Sequence, residues 1–393
     1  MDLESVAALR TPEGRAVLDA LPPYEEAGAI ALAARLRADH DATVVAAALT
    51  QSRLRASAAR RLGPLAYDLL WTPDSAEQAS RTPVAQWRAA RYAAAGIRRV
   101  LDLGAGAGSD ALAFAAAGVD VVAIERDPVT AAVLEANAQV AGQGRVRVVL
   151  ADAHDAAEEV VSGCDAVYAD PARRSSGRRV FDPAAWSPPL SLVETLTRRV
   201  GAGSAKVGPG IDHDAVPADT DAEWVSHTGQ VVECSLWWGA LRTGAGRAAT
   251  LIGPPVRTLA GTDAGPPPVR APGRFLHEPD GAAIRAGLVA DVAAHLDGWL
   301  LDPTIAYVSC DAEARSPWTT RYAITDVLPF SVKALRALLR DRDVGRVVIK
   351  KRGSAVTPEQ LRPQLRLSGS REATVVLTRI AGRPAALIVE PAP

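Results

Sequence analysis

Cysteine is scarce in this sequence, with only Cys164, Cys234 and Cys310 among 393 residues. Their positions have neither the paired spacing of metal ligands nor the density of a disulfide scaffold, which fits a reducing compartment. The six histidines do not cluster, so no metal is expected. No stretch supplies the ~18 consecutive apolar residues of a membrane span. The opening "MDLESVAALR" is acidic and lacks the basic-then-apolar order of a secretory signal. A cytoplasmic protein with no membrane partner is the expectation. Excess charge is also missing: the net is -1, so no global field draws in nucleic acid, and any such binding must come from local patches.

Hydrophobic residues make up 48% of the chain and charged residues 23%, the composition of a globular protein long enough for two or three domains. Three basic patches stand out: "SRLRASAARR" (52–61), "ARRSSGRR" (172–179) and "IKKRG" (349–353). Because arginine far outnumbers lysine throughout, each patch alone reads equally well as a solvated face. "IKKRG" ends an apolar strand, so its charges can simply mark the chain leaving a core.

Residues 1–95 are rich in Ala, Leu and Arg at helical spacing, which predicts a helical N-terminal domain. From Arg99 short apolar runs alternate with helix-length segments: VLDL (100–103), VVAI (121–124), VRVVL (146–150), AVYA (166–169) and AKVG (205–208). That rhythm predicts a parallel sheet covered by helices, over residues 96–245. "AEWVSHTGQVVECSLWWG" (222–239) breaks the alternation and reads as an antiparallel hairpin turning at "HTGQ". Residues 246–274 read as a hairpin and Pro-rich linker, ending in "GTDAGPPPVRAPGR". Residues 275–393 read as a small α+β domain of ferredoxin-like order, opening on a helix over 281–297. Within it "TPEQ" carries a helix start: Thr357 as cap, Pro358 in the first turn and Gln360 reaching back.

The most informative stretch is "VLDLGAGAGSD" (100–110), a strand that breaks into glycines and then a helix. Such a turn brings backbone close to a ligand. The spacing Gly104-x-Gly106-x-Gly108 puts Ser109 where a nicotinamide fingerprint has its third glycine. Asp102 would repel a pyrophosphate but can accept a hydrogen bond from an ammonium group. A zwitterionic amino-acid nucleoside therefore fits better than a diphosphate, and S-adenosylmethionine (SAM) answers that description. Glu125, about 20 residues on, can chelate ribose hydroxyls. Asp152 ends the third strand near the adenine position, and Asp170 ends the fourth at the ligand cleft. Any one of these acids could be a turn or helix cap; four strand ends in series point to a SAM site.

The run "VLDLGAGAGSD", "VVAIERDP", "VVLADAHD", "VYADPARR" resembles class I SAM-dependent methyltransferases, which implies a Rossmann-like sheet of order 3-2-1-4-5-7-6. "TPVAQWRAAR" (82–91) before the glycine strand is similar to the equivalent run in RNA-cap trimethylguanosine synthases. The chain as a whole resembles bacterial class I methyltransferases with a THUMP-like C-terminal domain, a domain found in RNA-modifying enzymes.

The resemblance implies that Asp102, Gly104, Ala105, Gly106, Gly108, Glu125, Arg126, Asp152 and Ala153 bind SAM, with Gln78 and Thr82 toward its methionine carboxylate. Asp170 and Pro171 match the catalytic motif Asn/Asp-Pro-Pro-aromatic of amine-methylating enzymes, in which a side-chain oxygen and a backbone carbonyl accept hydrogen bonds from an exocyclic amine. Here Ala172 and Arg173 replace the second proline and the aromatic. Arg173 and Arg174 would hold the substrate by stacking or by clamping phosphate, and Lys350, Lys351 and Arg352 would grip RNA. The expected function is methylation of an rRNA or tRNA base, an exocyclic amine being favoured. A protein or small-molecule acceptor is the alternative, as is a SAM-binding, RNA-associated protein without catalysis.

"AYVSCDAEARSP" (306–317) superficially resembles the nucleophile motif of uracil-5 methyltransferases. Cys310 lies beyond the catalytic domain that holds it in those enzymes, and it reads as a core or surface residue instead. Cys234 reads as packing. Trp237 and Trp238 could stack on an acceptor, although alternation lets only one of them face the cleft.

Overall fold

The computed structural model describes residues 1–155, 158–172, 174–175, 178–179, 182, 185–262 and 264–392. Two compact units divide the chain: Met1–Ala222 with Glu233–Gly244 and Ile252–Pro255, and Glu223–Val232 with Ala245–Leu251 and Val256–Pro393. Among the described residues no helix is long and apolar enough to cross a membrane.

The first unit opens with helices α1 (Leu3–Arg10), α2 (Pro12–Asp19), α3 (Ala29–Leu36), α4 (Ala42–Leu62), α5 (Pro73–Gln78) and α6 (Thr82–Ala94). Their starts are written locally. Asp2, Thr11 and Asp41 accept hydrogen bonds from first-turn amides of α1, α2 and α4, each a cap worth ~1 kcal/mol. Gly63 at φ +69° ends α4 in a conformation that favours glycine.

The sheet that follows has parallel strands β1 (Arg99–Leu103), β2 (Asp120–Glu125), β3 (Val146–Leu150), β4 (Ala166–Ala169) and, after the two-residue strands β5 (Arg174–Ser175) and β6 (Arg178–Arg179), β7 (Ala202–Val207). Helices α7 (Ser109–Ala116), α8 (Pro128–Ala141), α9 (Glu158–Ser162) and α10 (Leu190–Val200) alternate with them. Strands β8 (Asp221–His227), β9 (Gln230–Gly239), β10 (Arg247–Ile252) and β11 (Arg257–Ala260) follow. The order is β11-β10-β8-β9-β7-β4-β1-β2-β3, so β7, β9 and β8 take the places 5-7-6 expected of the methyltransferase sheet. The β8–β9 turn has Thr228 at φ +53° and Gly229 at φ +74°, the double positive φ that a two-residue hairpin favours.

Val6, Leu9, Val44, Leu54 and Leu62 of the N-terminal helices share one core with Leu112 of α7 and Val133 and Ala136 of α8. Buried Asn137 of α8 reinforces this packing: it accepts from the Leu70 amide at 2.7 Å and donates to the carbonyls of Leu70 and Ala107 at 2.9 Å each. Ala107 lies in the glycine turn, so one side chain ties the N-terminal helices to that turn.

Besides β11 and most of β8 and β10, the second unit carries β12 (Phe275–Pro279), β13 (Trp299–Leu300), β14 (Val308–Cys310), β15 (Thr319–Pro329), β16 (Val344–Lys351), β17 (Arg371–Ile380) and β18 (Arg383–Pro391). Their order is β13-β14-β12-β15-β18-β17-β16. Helices α13 (Val332–Asp341) and α14 (Pro358–Leu365) bury Leu335, Leu339, Leu361 and Leu365 against Val347, Ile349, Val375 and Leu377. The expected capping box is present: Thr357 Oγ1 accepts from the Gln360 amide at 3.3 Å, and Gln360 Oε1 from the Thr357 amide at 3.1 Å. The single helix expected over 281–297 is instead two, α11 (Gly281–Arg285) and α12 (Val289–His295), because Gly287 between them takes φ +74°. Positive φ at that residue interrupts the right-handed helical backbone.

Candidate functional site

The glycine turn leaves β1 with Gly104 at φ +77°, Gly106 at +58° and Gly108 at +95°. The amides of Gly104 and Ala105 both donate to the Ile124 carbonyl, at 2.9 and 3.0 Å. Gly108 is required twice over, by its φ and because a Cβ there would stand 2.4 Å from Leu134 Cδ1. Beside the turn Glu125 accepts from the Gly106 amide through Oε2 at 3.0 Å and from the Asp127 amide through Oε1 at 2.9 Å. Asp152 accepts from the amide and ring Nδ1 of His154, at 3.0 and 2.9 Å, with Arg126 3.9 Å away. Ala153 is half-buried.

Asp102 ends β1 in a different condition. It is 1% exposed, and among the described residues neither carboxyl oxygen has a hydrogen-bond partner. Burial pushes its carboxyl well above the usual carboxylate range, and Asp110, Asp170 and Glu125 push it further. An unpartnered buried carboxyl is costly. A ligand ammonium would supply the missing donor and charge, and the open Cβ direction at Gly106 leaves room for close backbone approach. These residues fit the zwitterionic end of SAM.

A continuous polar network lies along the neighbouring strand ends. Lys206 Nζ of β7 reaches Asp170 Oδ2 at 2.5 Å and Ser80 Oγ at 3.1 Å. Ser80 Oγ donates to Asp110 Oδ2 at 2.6 Å, and Arg88 Nη1 to Asp110 Oδ1 at 2.6 Å. The same guanidinium donates to Glu233 Oε1, which also accepts from Ser235 Oγ at 2.8 Å. Arg88 is fully buried, 5.0 Å from the centre of the Tyr168 ring. Burial would raise the Asp110 carboxyl, but Arg88 and Lys206 hold it below the ordinary value. Five carboxyl groups, Asp102, Asp110, Glu125, Asp170 and Glu233, stand against the two cations Arg88 and Lys206, and the mutual repulsion that helps to raise Asp102 and Asp170 is what a cationic ligand relieves.

The structure brings Asp102, Gly104, Ala105, Gly106, Gly108, Glu125 and Asp170 to the carboxyl ends of the parallel strands, where doubly wound sheets bind ligands. Pro171 is buried next to Asp170. Ala172 exchanges backbone hydrogen bonds with Ser187. Arg173 lies outside the described residues, and of Arg174 only the backbone is described. Gln78 is exposed, and Thr82 donates its hydroxyl to the Leu62 carbonyl at 2.9 Å. Between them, Ser80 enters the network instead. Sequence reasoning does not single out Ser80, Arg88, Asp110, Lys206 or Glu233. The one available signal is Lys206, since the chain has only four lysines.

In the second unit Lys350 Nζ and Arg352 Nη2 both contact Glu278, at 2.7 and 3.4 Å, while Lys351 is exposed. Cys310 is buried and donates to the Ala312 carbonyl at 3.3 Å; burial raises its thiol pKa, with Asp311 adding. His277 Nε2 lies 3.4 Å from it, but burial and then Arg321 pull that imidazole down to about 4. A neutral imidazole beside a raised thiol gives no thiolate. Trp237 and Trp238 are both buried, Trp237 packing edge-on to Trp87 at 5.6 Å with the Arg91 guanidinium 4.0 Å from its ring.

Three family models match the chain: "Putative SAM-dependent methyltransferase" over residues 33–176, "THUMP domain-like" over 319–391, and a domain of unknown function over 2–58. Uncharacterised S-adenosylmethionine-dependent methyltransferases from two strains of Mycobacterium tuberculosis are 36% identical over 341 residues, covering 83% of this chain and 90% of theirs. The crystal structure of a "putative methyltransferase" from Porphyromonas gingivalis W83 shares the fold at 20% identity, with a TM-score of 0.77 over 95% of this chain and 100% of that one. With motif, topology and relatives in agreement, the chain belongs to the S-adenosylmethionine-dependent methyltransferases.

Proposed function

We propose that this methyltransferase modifies a base of a structured RNA, rRNA or tRNA, with an exocyclic amine as acceptor. The observation that carries the reading is where the positive charge sits. Residues 319–391 hold fourteen Lys and Arg against six Asp and Glu, a net +8 in a chain whose total is -1. A polyanion is the partner such a segment attracts, and the segment coincides with the THUMP-like match. Lys350, Lys351 and Arg352 belong to it, two of them already sharing Glu278.

SAM supplies an electrophilic methyl on a sulfonium. In this reading Asp102 receives the ligand ammonium, the glycine turn with Ala105 lies along its backbone, Glu125 and Arg126 meet the ribose, and Asp152 and Ala153 the adenine. Asp170 accepts a hydrogen bond from the acceptor N–H, directing the nitrogen lone pair to the methyl, with Pro171 shaping the turn and Arg173 and Arg174 holding the nucleotide. Positioning of this kind supplies much of the acceleration.

The test incubates the purified protein and its Asp170→Ala variant with radiolabelled SAM and total RNA from cells lacking the gene. Label in a discrete RNA band that the variant abolishes supports the reading. Label confined to protein or small molecules, or SAM binding without transfer, overturns it.

A further inference from the structure

Of the 44 basic residues only four are lysine, and one of these stands in the polar network. Strands β4 and β7 run parallel with Ala169 beside Ala205, which brings the next residues, Asp170 and Lys206, side by side. The Lys206 side chain is 11% exposed and that of Asp170 31%. The ammonium is thus enclosed, held by Asp170 Oδ2 and Ser80 Oγ, while the carboxylate still reaches solvent. Among the described residues Oδ2 alone of the two Asp170 oxygens has a partner.

We propose that Lys206 is a positioning residue for methyl transfer: it holds Asp170 by one oxygen, anchored in turn by Ser80, and leaves the other oxygen for an uncharged N–H donor on the acceptor. Lysine suits this task where arginine does not. A guanidinium presents a planar fork that takes both oxygens of a carboxylate, whereas an ammonium is a point charge that can occupy one. A base amine reaches the site neutral, with its lone pair free, whereas a lysine side chain arrives as a cation at neutral pH and must first shed a proton. This deepens the role given to Asp170 above and rests on it. In the transfer the acceptor nitrogen gives its lone pair to the methyl carbon, the carbon–sulfur bond breaks with its electron pair on sulfur, and the displaced N–H proton leaves through Asp170 to water.

The charges facing Asp170 are Lys206 on β7, Asp110 on α7 and Glu233 on β9, with Asp102 on β1 and Tyr168 on β4 beside it. Burial pushes the Asp170 carboxyl up, and Lys206 is the main group opposing that. Removing the ammonium therefore has a readout apart from activity.

The experiment titrates the Asp170 carboxyl by carbon-13 NMR, assigned with Asp170→Asn, in the wild type, Lys206→Met and Lys206→Arg. S-adenosylhomocysteine affinity and melting temperature check the fold of each. Lys206→Met should move the Asp170 midpoint up by at least one pH unit, while Lys206→Arg, which keeps the charge, should leave it within half a unit. In the radiolabel assay with total RNA, Lys206→Arg should nonetheless lose at least tenfold in kcat, because the second oxygen is taken. An unchanged midpoint in Lys206→Met, full transfer by Lys206→Arg, or wild-type label on protein lysines overturns the proposal. If the wild type labels no RNA, the RNA reading falls and the titration alone decides the role of Lys206.

Discussion

Replacing Asp102 by Asn removes one ionisable group and little volume from the part of the site proposed to receive the ligand ammonium. The wild-type carboxyl is buried, without a hydrogen-bond partner among the described residues, and shifted well above the usual range by burial first, then by Asp110, Asp170 and Glu125. An ammonium brought to it forms a charge-assisted hydrogen bond worth ~1.5–3 kcal/mol, so the variant should bind SAM roughly 10- to 150-fold more weakly. The pH dependence has a definite sign. Only the ionised carboxyl pairs with the ammonium, so affinity should rise with pH by up to tenfold per pH unit until the raised pKa is passed, with release of up to one proton per SAM. Stability of the free protein runs the other way. A carboxyl raised in the folded state contributes stability that is fully present below its ordinary value of 3.8 and is lost as pH rises through the folded value, about 1.4 kcal/mol for each pH unit separating the folded and unfolded midpoints. Calorimetric titration with SAM from pH 5 to 9, in buffers of contrasting ionisation enthalpy, measures affinity and proton release together. Urea unfolding over the same range supplies the stability arm. An Asp102→Asn variant that binds within twofold of the wild type, with the same pH slope, would refute the assignment of Asp102.

Two further substitutions test the scaffold. Arg88→Met leaves Asp110 and Glu233 buried without their shared cation and should cost ~3–5 kcal/mol; adding Asp110→Asn and Glu233→Gln should recover most of it. Urea midpoints check both, and a loss under ~1 kcal/mol would show that the carboxylates find other partners. Gly108→Ala meets Leu134 at 2.4 Å and holds an alanine at φ +95°, for an expected cost of ~1–3 kcal/mol. A melting temperature equal to that of the wild type would mean the turn relaxes without penalty.

What the amino-acid sequence determined by itself was local. The step from apolar strand to glycines to helix at 100–110 specifies a tight strand-to-helix turn because positive φ at Gly104, Gly106 and Gly108 is a demand on single residues. The strand rhythm from Arg99 predicted the parallel sheet, because the 3-2-1-4 run repeats one short module of strand, helix and turn. "TPEQ" predicted its capping box, since both halves lie within one turn. Tertiary structure decided the rest. Arg88 and Glu233 are 145 positions apart, and each is an ordinary charge until α6 packs near β9. Ser80 joins the polar network while the start of α6 turns the Thr82 hydroxyl back to Leu62. Asp170 and Lys206 become a pair only through the parallel register of β4 and β7. Sequence spacing carries the geometry of one turn of chain, whereas a network drawn from several elements exists only once packing has excluded the water that would otherwise separate its charges.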